Sequence, residues 1–141
     1  MKRVIIFILL SIVLGLTSGC ADHIVSQCEE CNPIESEPKL NTFSGIQTKL
    51  FNTTCALSGC HGENATQANL LLIEGEAYSN LVNQQSFLFP DFTRVTPGDS
   101  ENSLLIKFLR GEVVQMPPTG KLSDDIIDSV ALWIDNGALN N

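Results

Sequence analysis

The apolar positions of this chain fall into one unbroken run followed, much later, by periodic stretches. Residues 4–16 are almost entirely apolar behind Lys2 and Arg3, with the small residues Thr17, Ser18 and Gly19 next. From position 21 to 41 no periodicity is sustained, and Pro33 and Pro38 interrupt the stretch. Phe43, Ile46, Leu50 and Phe51 then recur at three-and-four spacing, which predicts an amphipathic helix capped by Asn41 or Thr42 and running into Cys55. A shorter helix is expected over 77–82. A third follows Pro97-Gly98-Asp99-Ser100, with Asp99 or Ser100 as cap and Glu101 near the positive end of the dipole. Leu104, Leu105, Phe108 and Leu109 form its apolar face and Gly111 its end. The last helix is the clearest: Ser123 caps it, Asp124 and Asp125 fill its first turn, and Ile126, Ile127, Val130, Trp133 and Ile134 line one side up to Gly137. No stretch alternates with period two for long enough to argue a sheet. The expectation is an all-α domain of about four helices joined by long loops.

The first run changes what the rest of the chain is for. A positive start, an apolar core of about 13 residues and small residues behind it make an export signal, too short for the roughly 20 residues that span a bilayer. The junction Leu16-Thr17-Ser18-Gly19-Cys20 resembles the lipobox of bacterial lipoproteins. That resemblance implies cleavage before Cys20 and acylation of its thiol. Thr17 stands where such junctions usually carry Leu, which leaves ordinary signal cleavage as the alternative. Residues 1–19 are then the signal, 20–41 an acylated N-terminus and tether, and 42–141 the folded domain, held off a membrane in the cell envelope. Whether that membrane is the inner or the outer one is open.

Composition narrows the class. At 141 residues, 43% hydrophobic and 17% charged, the chain has the balance of one globular domain rather than two. Lys and Arg number 8 against 16 Asp and Glu, a net charge of −8. A chain of this charge is poorly suited to neutralise phosphates, so no nucleic-acid partner is expected. Loss of the signal removes two basic residues and no acidic ones, and the mature chain is more acidic still. His23 falls in the tether and reads as solvated. The sequons at Asn52 and Asn64 read as chance matches beside a bacterial signal.

Five cysteines are many for this length. Cys28-Glu29-Glu30-Cys31 lies in the tether with no His behind it and reads as a local disulfide, because a redox CxxC needs a helix N-terminus and a βαβ setting. Cys55-Ala56-Leu57-Ser58-Gly59-Cys60-His61 is different. Two thiols can form thioethers to the two vinyl groups of one porphyrin, with the following His beneath the iron. Four residues separate the cysteines instead of the usual two, so Ser58-Gly59 must bulge, which Gly permits. The competing reading is a small disulfide loop with a spare His. Far downstream, Met116 sits in Gln115-Met116-Pro117-Pro118 just before the last helix. Most methionines are core filler, but this one lies in a proline-restricted turn, where a thioether can be held in place as an axial ligand.

Cys55 to His61, the stretch Arg94-Val95-Thr96-Pro97-Gly98-Asp99-Ser100 with its following helix, Met116-Pro117-Pro118, and the segment from Leu122 to Gly137 together resemble a bacterial monoheme cytochrome c domain carried on a lipoprotein. The likeness covers about residues 42–138. It implies a cytochrome c-like fold around one covalent heme c attached at Cys55 and Cys60, with His61 proximal and Met116 distal. It also implies one-electron transfer with no enzymatic turnover, and redox partners with basic or neutral docking surfaces. The acceptor for the His61 Nδ1–H is expected to be a carbonyl in the loop after Gly62. Leu57, Leu70, Leu71, Leu72, Leu105, Leu109 and Trp133 are candidates for the pocket wall, with ordinary helix packing as the competing reading. Arg94 and Lys121 are candidates for the propionates, with a solvated surface as the leading reading for each. Two heme-free alternatives stand beside this one: a zinc-stabilised module using Cys28, Cys31, Cys55 and Cys60, and a disulfide-stabilised lipoprotein acting as a binding or structural module.

Overall fold

The computed structural model describes residues 39–63 and 67–141. The export signal, Cys20, His23, Cys28, Cys31 and Asn64 lie outside the described residues. Helix α1, Phe43–Ile46, opens behind Thr42, whose Oγ1 accepts from the Gly45 amide at 3.2 Å. Position 45 must be Gly because a Cβ there would sit 1.9 Å from the Lys39 carbonyl oxygen. The amide of Phe43 donates to the Asn141 side chain at 2.9 Å and that of Ser44 to the Asn141 carbonyl at 2.8 Å, which ties α1 to residue 141.

The expected first helix continues to Cys55, but as a wider π-helix over Gln47–Cys55. Its closing bond runs from the Ala56 amide to the Phe51 carbonyl at 2.7 Å, five residues back. Threonine chemistry accompanies the widening. The Thr48 hydroxyl donates to the Ser44 carbonyl and that of Thr53 to the Lys49 carbonyl, so side chains occupy acceptors that an α-helix gives to amides. Apolar spacing alone does not distinguish the two helix types, and π-segments often sit at functional sites.

Helix α2 covers Ala77–Leu81, one residue short of expectation. Helix α3, Leu104–Arg110, begins later than expected, at Ser103 rather than at Asp99 or Ser100. The reason is a turn that occupies the intervening residues. Asp99 accepts from the Asn102 amide at 3.1 Å, and the Ser103 hydroxyl accepts from the Thr96 amide at 2.8 Å while donating to the Asp99 carbonyl at 2.8 Å. Glu101 pairs instead with Arg110 at 2.8 Å. Gly111 ends the helix in the left-handed region, as anticipated. Helix α4, Asp124–Asp135, starts behind Ser123 and carries Asp124 and Asp125 in its first turn. Ser123 holds the cap position without a side-chain cap bond.

Among the described residues the structure is all-α, with isolated bridges such as that between Val82 and Val95 but no strand. The core gathers Phe43, Ile46, Leu50 and Phe51 against Leu81, Ile106, Val130 and Trp133. Phe43 is its hub, with Tyr78 at 5.1 Å edge-on, Trp133 at 5.7 Å and Phe51 at 6.4 Å between ring centroids. Each large apolar side chain buried here contributes roughly 1.5–3 kcal/mol relative to exposure. The polar tips are satisfied too: Trp133 Nε1 donates to the Leu139 carbonyl at 2.8 Å and the Tyr78 hydroxyl to the Ala138 carbonyl at 2.9 Å.

Candidate functional site

On the other side of α3 the packing opens into a cavity of about 350 Å³. The end of the π-helix delivers Cys55 to it, the turn 57–61 delivers Cys60 and His61, α3 supplies Leu105, Phe108 and Leu109, and the following loop supplies Met116. Leu70 and Leu72 close it from the third side. A neighbouring cavity of about 210 Å³ also has His61, Leu70, Leu105, Phe108 and Met116 in its walls. His61 and Met116 thus border both spaces. Residues far apart in the chain, His61 and Met116, come to one apolar chamber together with both thiols.

Local geometry explains how the long cysteine spacing is accommodated. Gly59 adopts φ +86°, and the Cys60 amide bonds the Leu57 carbonyl at 3.0 Å. The His61 amide then returns to the Cys55 carbonyl at 3.1 Å, which closes the loop and stations the His next to the helix end. Gly62 packs so tightly that a Cβ would lie 2.7 Å from the Ala56 carbonyl oxygen. This second glycine requirement is invisible in the motif itself.

The His61 ring is oriented by one bond. Its Nδ1 lies 3.0 Å from the Leu70 carbonyl, which only accepts, so Nδ1 is the donor of this bond and Nε2 is the ring nitrogen left for another partner. The acceptor lies after Gly62, as expected from sequence. Met116 is held through its backbone. Its amide donates to the Phe108 carbonyl at 3.1 Å, and its carbonyl accepts from the Gln115 side chain at 2.9 Å. Cys55 and Cys60 are both unbridged. Burial, followed by the proximity of Cys60, pushes the Cys55 thiol up to about 11, so it is neutral at physiological pH.

Several expected wall residues are elsewhere. Leu57 is 46% exposed and Trp133 is fully packed in the aromatic core, so neither lines the cavity. Leu71 does not line it either. Phe51 and Phe108 take those places, and helical periodicity marks them as inward-facing without saying toward what. Lys121 is exposed and pairs with Asp124 at 2.8 Å. Arg94 spends its guanidinium on backbone carbonyls of Ala68, Asn69 and Asn80. Burial lowers its basicity.

Among the described residues no three His, Cys, Asp or Glu side chains form a group able to hold a bare metal ion. None of the described helices is long and apolar enough to cross a membrane. A heme makes different demands from a bare ion: an apolar enclosure, an imidazole and a soft thioether for iron, and two thiols at the rim. The cavity side chains fit that donor set. Compared with known proteins, the chain matches no family model, no curated protein and no solved structure.

Proposed function

We propose that residues 42–141 form a cytochrome c-like domain that carries single electrons on one covalently attached heme c. In this reading the mature chain is anchored in the cell envelope through lipid on Cys20. The observation that carries it is the convergence of Cys55, Cys60, His61 and Met116 on one apolar cavity. When bound, heme c supplies a one-electron redox couple at its iron.

The chain's own residues do the rest. Cys55 and Cys60 would hold the porphyrin as thioethers to its vinyl groups. His61 offers Nε2 because the Leu70 carbonyl occupies its Nδ1–H. Met116 offers its sulfur from a loop pinned to α3. Leu70, Leu105 and Phe108 exclude water and lower the local dielectric. With His61 and Met116 both serving as ligands, no site would remain for a substrate, and the domain would have no turnover of its own. The acidic chain favours redox partners with basic or neutral docking surfaces.

The test is a visible spectrum of the protein matured in a host with c-type assembly, oxidised and reduced. One covalent heme per chain with a low-spin His/Met signature is expected. Protein with no covalent heme, and with zinc bound or all thiols paired, would overturn the reading. Met116→Ala should keep the heme, change the sixth ligand and lower the potential; an unchanged spectrum would make Met116 a packing residue only.

A further inference from the structure

The Leu70 carbonyl that orients His61 stands at the end of an unusual turn. Ala68 and Asn69, immediately before it, both adopt left-handed backbone conformations, with φ +57° and +53°. Asn adopts such angles readily but Ala does not, and two left-handed residues in succession need something to hold them. The ends of the turn are tied by ladder-like bonds, Gln67 amide to Cys60 carbonyl at 3.2 Å and Leu72 amide to His61 carbonyl at 2.8 Å. Its middle is held by Arg94.

Arg94 Nη2 donates to the Asn69 carbonyl at 2.9 Å and the Ala68 carbonyl at 3.3 Å, and Nη1 donates to the Asn80 carbonyl at 2.8 Å. The planar fork therefore joins the turn to helix α2, which a point charge such as Lys does less well. Arg94 is itself fixed at both backbone groups. Its amide donates to the Gln84 carbonyl at 2.7 Å and its carbonyl accepts from the Leu105 amide at 3.0 Å, on α3 at the cavity wall. Among the described residues no carboxylate forms an ion pair with it. Its donors go to carbonyls that only a specific fold of the turn presents together.

We propose that Arg94 is a positioning residue for His61: by clamping the Ala68 and Asn69 carbonyls it sets the Leu70 carbonyl in place, and through the bond from Nδ1–H to that carbonyl it fixes the orientation of the imidazole. This role is distinct from the propionate contact for which Arg94 is a candidate. It gives the proposed proximal ligand a support that the CxxxxCH motif does not contain. The inference rests on the proposed function only for its consequence at iron. The Arg94-to-His61 relay itself is a property of the protein's own hydrogen bonds.

The experiment measures hydrogen exchange and nitrogen shifts of His61 by NMR in the full-length chain, reduced, isolated from a host with c-type assembly. A His23→Gln background leaves His61 as the sole histidine. The expected parent signal is a protected Nδ1–H. In Arg94→Ala that proton should exchange about fivefold to tenfold faster, the factor expected when one net hydrogen bond is loosened. Arg94→Lys should fall between the two, and Lys121→Ala, which removes a surface cation, should match the parent. Equal protection in parent and Arg94→Ala would overturn the proposal, as would an equal effect of Lys121→Ala. Should Arg94→Ala fail to fold, Arg94→Lys decides: parent-like protection there overturns the clamp. The readout is taken whether or not the chain carries heme. Absence of heme contradicts the proposed function while leaving the relay to stand or fall on its own signal.

Discussion

The two faces of helix α3 lie a few ångströms apart and are built on opposite principles. On one, Ile106 is fully buried and belongs to the same apolar core as Phe43, Phe51 and Trp133. On the other, Leu105, Phe108 and Leu109 border an apolar cavity enclosed mainly by loops. The first face is stabilised by side chains meeting side chains. The second is shaped by backbone held at defined places: by Gly59 and Gly62, by the Arg94 contacts, and by the Met116 amide on Phe108. A small domain that leaves apolar wall facing a cavity forgoes packing energy there. The difference separates what makes the domain fold from what the domain is for.

That division can be broken most forcefully at Trp133. Trp133→Ala should cost about 3–5 kcal/mol, the range for deleting a buried aromatic, and should lose the bond to Leu139 as well. Urea unfolding measures it, and a loss below about 1 kcal/mol would show that the aromatic cluster is not the core's anchor. Neighbouring positions on α3 sharpen the contrast. Ile106→Ala should cost about 2–5 kcal/mol, and Leu105→Ala less than half as much in chain without heme, because Leu105 already borders open space. Equal costs would mean that the cavity face is as closely packed as the core.

The next effect is pH-dependent. With the Cys55 thiol at 9.0 in the unfolded chain and about 11 in the folded one, the folded state retains the proton over that interval. Stability is therefore complete below pH 9 and falls as pH rises toward 11. The loss is on the order of 2–3 kcal/mol for a two-unit shift. Chain without heme should show this alkaline decline in thermal or urea unfolding, and Cys55→Ser should abolish it. Once Cys55 is a thioether it has no proton to lose, so heme-bearing protein should lack the decline too. Smallest is Lys121→Ala, which removes an exposed pair with Asp124 and should change stability by less than about 0.5 kcal/mol.

How much of this was legible in the chain depends on the range of the interaction involved. Helices α2 and α4 follow from local apolar spacing, and Thr42 and Gly111 from capping chemistry, all of which act within a turn or two. The π-helical continuation was not legible, because its apolar positions read the same as those of an α-helix and only the hydroxyl-to-carbonyl bonds accompany the widening. The late start of α3 depends on the Ser103 hydroxyl reaching Thr96, a contact that residue type does not announce. For the site, the CxxxxCH spacing and the proline-flanked Met116 identified residues that the fold brings to one cavity. Which aromatics face that cavity was not legible: periodicity marks both Trp133 and Phe108 as inward, and only tertiary packing sends one to the core and the other to the wall. The bonds from Arg94 to backbone carbonyls were not legible either, because a guanidinium satisfied by carbonyls leaves no pattern in sequence.

The most direct measurement is the mass of the proteolytic peptide that contains Cys55 to His61, taken from protein matured with c-type assembly. The proposed function predicts one heme covalently attached to that peptide through both cysteines, lost in the Cys55→Ser, Cys60→Ser double variant. A peptide of unmodified mass, or one with Cys55 and Cys60 joined to each other, would contradict it.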